Sequence, residues 1–452
     1  MQLTDSAIFR RFVETNGKSQ RHAERARAHV PTGTSRALLR HAPFPFYTVK
    51  GEGAYTTDLD GNRRIDFHGN YTAMIHGHAD PEITAAVVAR LPTGTAYSSP
   101  SVDEEALAAL LCERVSSIDQ VVFNNSGSEA VMVALRAARA VTGRNRIGRF
   151  EGGYHGSSDF MLTGGHHLPA IDDPMLVSTP QPDFAGLPRA ACEDVVLMRY
   201  NSPEAVVEAV QRHGQELAAI IVEPMLGAGG IIPADPEFLR VLRDETRRAG
   251  IVLICDEVIT LRQAVGGAQS LYQLEPDLTT MAKIIGGGFP IGAVGGKREF
   301  MRCFNEPERG GTTANLGTFS ANAISVTAGL TAMRKLDAST IARLNQLGDH
   351  TRQAVAKVLT VHAPGAQVSG AGSLFQVHWT RAPLRDARAV ESADQTLKLL
   401  TCLGLANRGI HISVRGMGAL STPMTEEHVA LLVDALEGTL REMASEGWNL
   451  GL

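Results

Sequence analysis

The chain has 452 residues, a formal net charge of -5, 44% hydrophobic residues and 45 glycines. The length allows about two or three domains of roughly 150 residues, and the mild acidity gives no electrostatic basis for nucleic-acid binding, which calls for a basic patch or domain. The five cysteines (Cys112, Cys192, Cys255, Cys303, Cys402) are scattered with no Cys-x-x-Cys pair, which argues against a disulfide framework or thiolate zinc site and for a reducing compartment.

Residues 1–18 hold no apolar run of signal-peptide length, and no stretch of about 18 apolar residues occurs, so a cytoplasmic protein without a membrane span is expected. Residues 5–29 show helical periodicity and predict one helix, stopped by Pro-Thr-Gly-Thr at 31–34. Between 41 and 67, short strand-like runs are separated by Gly and by Asp60-Gly61-Asn62, a pattern of antiparallel hairpins. From 78 to 336, helical segments such as 103–115 and 129–141 alternate with apolar runs at 120–124, 194–200, 218–224 and 250–258. That alternation indicates an α/β fold with a mainly parallel sheet covered on both faces. From 337 onward, two helices, a Gly-rich strand region (VSGAGSLFQVHW) and a final helix at 425–446 predict a small α+β domain. The expected organisation is a helix-and-hairpin segment at 1–77 that joins the small domain, a large domain at 78–336, and the rest of the small domain at 337–452.

Open α/β sheets bind ligands at the carboxyl ends of their strands, and three such ends carry polar residues. Ser126, Gly127 and Ser128 follow the run QVVFN and open a helix. They suit an anion such as phosphate, and equally an ordinary N-cap with Glu129 in the first turn. Asp256 closes the apolar run GIVLIC. A carboxylate there needs a partner, which a protonated pyridine nitrogen would be; the alternative is a strand-end acid capping the next helix. Lys283 stands between apolar residues just before Gly286-Gly287-Gly288. Desolvation lowers a lysine's pKa and makes it a usable amine nucleophile; the alternative is a surface lysine beside a flexible loop.

In this order and context, above all in ICDEVIT…GGAQ…EPDLTTMAKIIGGGFPIGAVGGK from 254 to 297, the chain resembles the class III aminotransferases. The branch is the one that includes glutamate-1-semialdehyde aminomutase and the β-amino-acid aminotransferases, and the resemblance spans roughly residues 20–440. It implies fold type I of the pyridoxal-phosphate enzymes and pyridoxal 5'-phosphate as cofactor. It also implies roles. Lys283 forms the Schiff base with the cofactor and moves protons; Asp256 pairs with the pyridine nitrogen. Val258 packs on one ring face and Tyr154 stacks on the other; Ser126, Gly127 and Ser128 hold the phosphate. Thr318 reaches the phosphate of the neighbouring subunit in a homodimer, and Glu223 lies near the cofactor.

The choice between aminotransferase and aminomutase rests on the substrate residues. The stretches Gly33-Thr34-Ser35-Arg36-Ala37-Leu38 and Ile412-Ser413-Val414-Arg415-Gly416-Met417-Gly418 depart from the aminomutase pattern, and both resemble the β-amino-acid aminotransferases, as does HAPFPF at 41–46. A transaminase that takes an amino acid and then 2-oxoglutarate must hold carboxylates, which guanidinium groups grip bidentately. Arg36 and Arg415 are the candidates, against the plainer reading of surface ion-pair partners. The segment 69–78 is expected to line the pocket. His76 and His78 lack a third ligand and argue weakly for a metal, and His166-His167 reads as a loop feature. The chain has no Gly-x-Gly-x-x-Gly between strand and helix and no P-loop, since Gly296-Lys297 is followed by Arg298 and position 291 is Ile. A non-catalytic cofactor-binding protein and a decarboxylase or racemase remain as alternatives to the amino-transfer reading.

Overall fold

The computed structural model describes residues 2–451 apart from 166, 167, 169–172, 174 and 176, so His166 and His167 lie outside the described residues. The segment expected as one helix at 5–29 is two, Ala7–Thr15 and Gly17–Ala26. They break at Asn16, whose backbone lies at φ -126° and ψ 31°. Asn16 is buried. Its Nδ2 donates to Phe12 O at 2.7 Å, and its Oδ1 accepts from Arg64 Nη2 at 3.1 Å and Asn62 Nδ2 at 3.2 Å. A buried guanidinium needs such acceptors, and local periodicity carries no record of a partner so far along the chain.

The hairpins form as the turn residues predict. Strands β1 (Thr48–Glu52), β2 (Tyr55–Asp58) and β3 (Arg63–Asp66) pair antiparallel in that order. Asp58 makes the second turn: its Oδ1 accepts from Asp60 N and Asn62 N, while its Oδ2 accepts from Arg64 Nη1. These strands belong to a first unit of Met1–Asp80, Arg343–Pro383 and Ala389–Leu452.

The second unit, Pro81–Ala342 with Leu384–Arg388, is built on an eight-stranded sheet. Its strands are β4 (Gln120–Asn124), β5 (Arg146–Phe150), β6 (Val177–Ser178), β7 (Val195–Met198), β8 (Leu217–Val222), β11 (Val252–Asp256), β12 (Leu278–Ala282) and β13 (Gly292–Gly296), in the order β4-β13-β12-β11-β8-β5-β7-β6. A separate hairpin joins β9 (Met225–Leu226) and β10 (Ile232–Pro233). Strands β7, β5, β8, β11 and β12 run parallel, whereas β13 runs antiparallel to both β12 and β4. All residues of β8 and β11 are buried, as strands covered on both faces require. On one face the helix Gly127–Thr142 buries Ala130, Val131, Ala134 and Ala138 in one core with Ile221, Ile254 and Val294. Each fully buried Val, Leu or Ile contributes about 1.5–3 kcal/mol through the area it removes from water.

The first unit is completed by β14 (Gln367–Ser369), β15 (Leu374–His378), β16 (Ile410–His411) and β17 (Met417–Ala419). Strands β14, β15 and β17 form an antiparallel sheet, while β16 adds to β3 in parallel. The final helix spans Glu426–Ser445.

Because β4, β8, β11 and β12 point the same way, their carboxyl ends share one edge of the large sheet. The register puts Ala282, Gly292 and Asn124 in a row across it. Gly292 must be small: a Cβ there would lie 2.0 Å from Ser126 O. Gly292→Ala is expected to cost about 1–3 kcal/mol through overpacking, seen as a thermal unfolding midpoint lowered by about 3–10 °C. An unchanged midpoint would mean that the 124–126 backbone yields without cost.

Candidate active site

Four segments meet at this edge. The first is the turn after β4. Ser126 is the N-cap of the helix Gly127–Thr142, with its Oγ accepting from Glu129 N at 3.2 Å. Glu129 answers by accepting from Asn125 N at 2.7 Å and Asn125 Nδ2 at 3.0 Å. The cap and the anion site are therefore compatible. Among the described residues the N–H groups of Gly127 and Ser128 have no acceptor, as the first turn of a helix leaves them.

The second segment is the loop after β5. Gly156 (φ 87°) comes so close to the helix that a Cβ would stand 2.6 Å from Ser128 Cα. Ser157 N donates to Ser128 Oγ at 3.1 Å. Arg149, fully buried in β5, donates to Met161 O and Gly153 O and so braces this loop; burial pushes its guanidinium down to about 10. Arg388 grips Glu151 with two bonds of 2.9 and 2.8 Å at the start of the same loop. Tyr154 between them stays 44% exposed, with its ring presented rather than packed away.

The third and fourth segments follow β8 and β11 and bring Glu223 beside Asp256. Both are buried. Asp256 Oδ2 accepts from His155 Nδ1 at 2.8 Å, and its Oδ1 accepts from Val258 N at 3.1 Å. Glu223 accepts from Tyr154 N and Gly227 N, both at 2.9 Å. Burial and then the Asp256 charge push Glu223 up to about 8, against the opposing pull of those N–H groups and of Lys283. Next to Asp256, Glu257 turns inward to accept from Thr260 Oγ1, Ala268 N and Gln269 N, and burial raises its carboxyl too.

Lys283 follows β12 directly, in a left-handed backbone conformation at φ 52°. For a residue with a Cβ this costs about 1–2 kcal/mol, and strain of this kind gathers at functional sites. Gly127 closes the group: a Cβ there would lie 3.3 Å from both Val258 and Ala282 side chains. Ser126, Gly127, Ser128, Tyr154, Glu223, Asp256, Val258 and Lys283 thus collect at one sheet edge. Thr318 is exposed, on a segment whose Gly317 lies against Asn125. His155 and Arg149 were not singled out from sequence; the signal for His155 was its place directly after Tyr154 in Gly-Gly-Tyr-His-Gly.

Arg36 and Arg415 lie in the first unit, and the charges of both act on Tyr71. The Arg36 guanidinium carbon is 5.7 Å from the Tyr71 ring centroid. Burial raises the Tyr71 phenol, and the charges of Arg415 and Arg36 both pull it back. The main chain of Arg415 is held by Ser413 Oγ, which accepts from Arg415 N and Met417 N at 3.2 Å each. The histidines suspected of metal binding have other partners: His78 Nε2 donates to Asp66 Oδ2 at 2.7 Å, and His76 Nδ1 is 3.3 Å from Thr422 Oγ1. Among the described residues there is no cluster of three or more His, Cys, Asp or Glu placed to hold a metal.

The second unit's donor set fits pyridoxal 5'-phosphate: open N–H groups at a helix start for a phosphate, a buried carboxylate for a ring nitrogen, a presented aromatic ring and one lysine. A model of the class-III aminotransferases matches residues 39–440. Glutamate-1-semialdehyde 2,1-aminomutase of Methanothermobacter thermautotrophicus is 37% identical over 94% of this chain and 99% of its own. β-Phenylalanine transaminase of Variovorax paradoxus is 35% identical over 95% of this chain and 94% of its own. The crystal structure of an ω-transaminase from Sphaerobacter thermophilus superposes with a TM-score of 0.90 at 44% identity, over 94% of this chain and 98% of that one.

Glu223 makes a test that needs no ligand. With its folded value near 8 and an ordinary value of 4.5, it holds a proton that the unfolded chain releases. It therefore adds stability that is complete below pH 4.5 and is lost as pH rises through about 8. Glu223→Gln, neutral throughout, is expected to flatten the ligand-free protein's unfolding midpoint across that window. Parallel midpoint profiles for parent and variant would place the proton elsewhere.

Proposed function

Since the chain belongs to the class III aminotransferases, which use pyridoxal 5'-phosphate, we propose that it moves an amino group from a β-amino acid to an oxo acid such as 2-oxoglutarate. The family's reaction is amino transfer; the donor class is our reading. The observation that carries it is Arg36 set over the Tyr71 ring, at a phenol that the charge of Arg415 also reaches, within one unit. An enzyme that takes two acids in turn has two carboxylate-bearing substrates to hold, which suits paired guanidiniums. An aminomutase acting on glutamate 1-semialdehyde holds a single carboxylate.

When bound, the cofactor supplies a ring that accepts the electrons left when a proton leaves the amine-bearing carbon. Lys283 is the residue that bonds to it. With its Nζ free, Lys283 would take the proton from the amine-bearing carbon, hold it and give it back, in either direction of the transfer. Asp256, oriented by His155 and the Val258 N–H, keeps the pyridine nitrogen protonated. Val258 and Tyr154 would hold the ring, with Glu223 fixing Tyr154 by accepting from its backbone N–H. Ser126, Gly127 and Ser128 hold the phosphate at the helix start. Thr318 acts in a homodimer, at the phosphate held by the neighbouring copy. Leu316 and Phe319 on either side of it are 80% and 58% exposed, apolar surface that such an interface would cover. A cytoplasmic location accords with the five free cysteines. Among the described residues no helix is long and apolar enough to cross a membrane.

The visible absorption of the cofactor-loaded protein tests the reaction. Addition of a β-amino acid is expected to bleach the band and 2-oxoglutarate to restore it. An α-amino acid bleaching it equally well would remove the β preference, and bleaching by 4,5-diaminovalerate alone would make the protein an aminomutase. Lys283→Ala is expected to lower turnover by about 10²–10⁴-fold or more while the phosphate anchor still retains cofactor; near-normal turnover would displace Lys283 from the mechanism. Arg36→Ala is expected to weaken every carboxylate substrate with the cofactor still bound, and unchanged kinetics would remove Arg36 from the site.

A further inference from the structure

Asn70, Tyr71 and Thr72 are consecutive and all left-handed, at φ 50°, 54° and 73°. None is glycine, so the surroundings must hold the turn in place. Asp66 does so. Its Oδ1 accepts from His68 N and Gly69 N, both at 3.0 Å, and its Oδ2 accepts from His78 Nε2 at 2.7 Å. His411 Nδ1 lies 3.2 Å from Oδ1, on the strand β16 that pairs with β3 at this residue. Burial pushes the Asp66 carboxyl up, but the bonds from His411 and His78 outweigh it and hold the carboxyl well below the usual range. Asp66 is thus a buried anion bonded to the entry of the left-handed turn and set against His411 on the strand leading to Arg415.

The far end of the turn reaches Arg36. Asn70 Oδ1 accepts from Arg36 Nη1 at 2.5 Å, and Tyr71 lies under the same guanidinium. Asn70 occupies Nη1 and leaves Nε and Nη2, the edge that grips a carboxylate with two parallel bonds. An arginine already held in one rotamer loses less freedom when its ligand arrives.

We propose that Asp66 and Asn70 are positioning residues for carboxylate recognition: Asp66 pins the left-handed turn, and Asn70, carried on it, aims Arg36 at the substrate carboxylate. This rests on the reading of Arg36 as a carboxylate clamp. It assigns to the histidine-lined Asp66 cluster a role in substrate affinity rather than in chemistry or metal binding.

The test uses the cofactor-loaded full chain as parent, Asn70→Ala, Asp66→Ala and Arg36→Ala. For each, KM and kcat are measured with β-phenylalanine, and calorimetry gives Kd for 3-phenylpropanoate, which offers the carboxylate without the amine. Asn70→Ala is expected to raise KM and Kd about tenfold, the affinity that freeing one long side chain removes, with kcat within about twofold and a small drop in unfolding midpoint, since alanine accepts the left-handed backbone less readily than asparagine. Asp66→Ala is expected to shift both constants the same way and at least as far. Should Asp66→Ala fail to fold, Asn70→Ala decides alone, because that side chain is exposed. If Asn70→Ala leaves both constants in place while Arg36→Ala raises them, the positioning role falls and the clamp stands. If Arg36→Ala leaves them in place as well, the clamp itself is wrong and the positioning role falls with it. A fall in kcat with unchanged Kd would likewise overturn the proposal.

Discussion

Two carboxyl groups buried side by side set the terms for the second unit. Asp256 and Glu223 stand 3% and 4% exposed at the ends of adjacent parallel strands, where two unscreened negative charges cannot both persist. The structure separates their roles by unequal partners. Asp256 has the His155 ring and the Val258 N–H. Glu223 has two backbone N–H groups, from Tyr154 and Gly227, and is the carboxyl that is pushed up. The 152–156 loop depends on this arrangement from both sides, since Tyr154 answers to Glu223 and His155 to Asp256. Arg149 and the Arg388–Glu151 pair then brace the loop from behind. Removing one partner of such a buried pair typically costs about 3–5 kcal/mol, so the loop is held by interactions that tolerate little change.

Much of this frame could be read from the chain. The runs at 120–124 and 250–258 were legible as strands because a strand covered on both faces has to be apolar almost throughout, and a polar residue at its carboxyl end then stands out. That logic singles out Asp256 and Lys283. It says nothing of His155, whose partner is far away in sequence and whose neighbours give no period. The break at Asn16 was hidden for the same reason: helical spacing continues through it, while its Oδ1 partners, Asn62 and Arg64, are remote in sequence. Nor could the state of Glu223 be read, since it follows from a neighbouring strand's carboxylate rather than from the Val-Glu-Pro around it.

In the first unit the two arginines proposed to hold substrate, Arg36 and Arg415, were visible as residues but not as a pair. Arg415 follows β16, whose parallel pairing with β3 is a short two-residue addition that no local pattern announces. The histidines near 78 were open to a metal reading on spacing alone. The geometry gives His78 the Asp66 carboxylate and His76 the Thr422 hydroxyl instead, and the same carboxylate satisfies the backbone of a strained turn. A single buried anion thus does several jobs that sequence reading treats as unrelated.

The N-terminal helix has a consequence for how the chain comes together during synthesis. Ile8 and Phe12 on Ala7–Thr15 are fully buried, Ile8 O accepts from Asn407 Nδ2, and Ala7 N donates to Glu446 Oε1. Those partners lie 399 and 439 residues further along the chain and are made after the second unit, which is almost wholly contiguous and can fold as soon as it emerges. The first helix is therefore made early and docked late. Until then its apolar face stays uncovered, so a chain ending before residue 407 carries an unpartnered amphipathic segment, the kind of exposed apolar surface that favours aggregation.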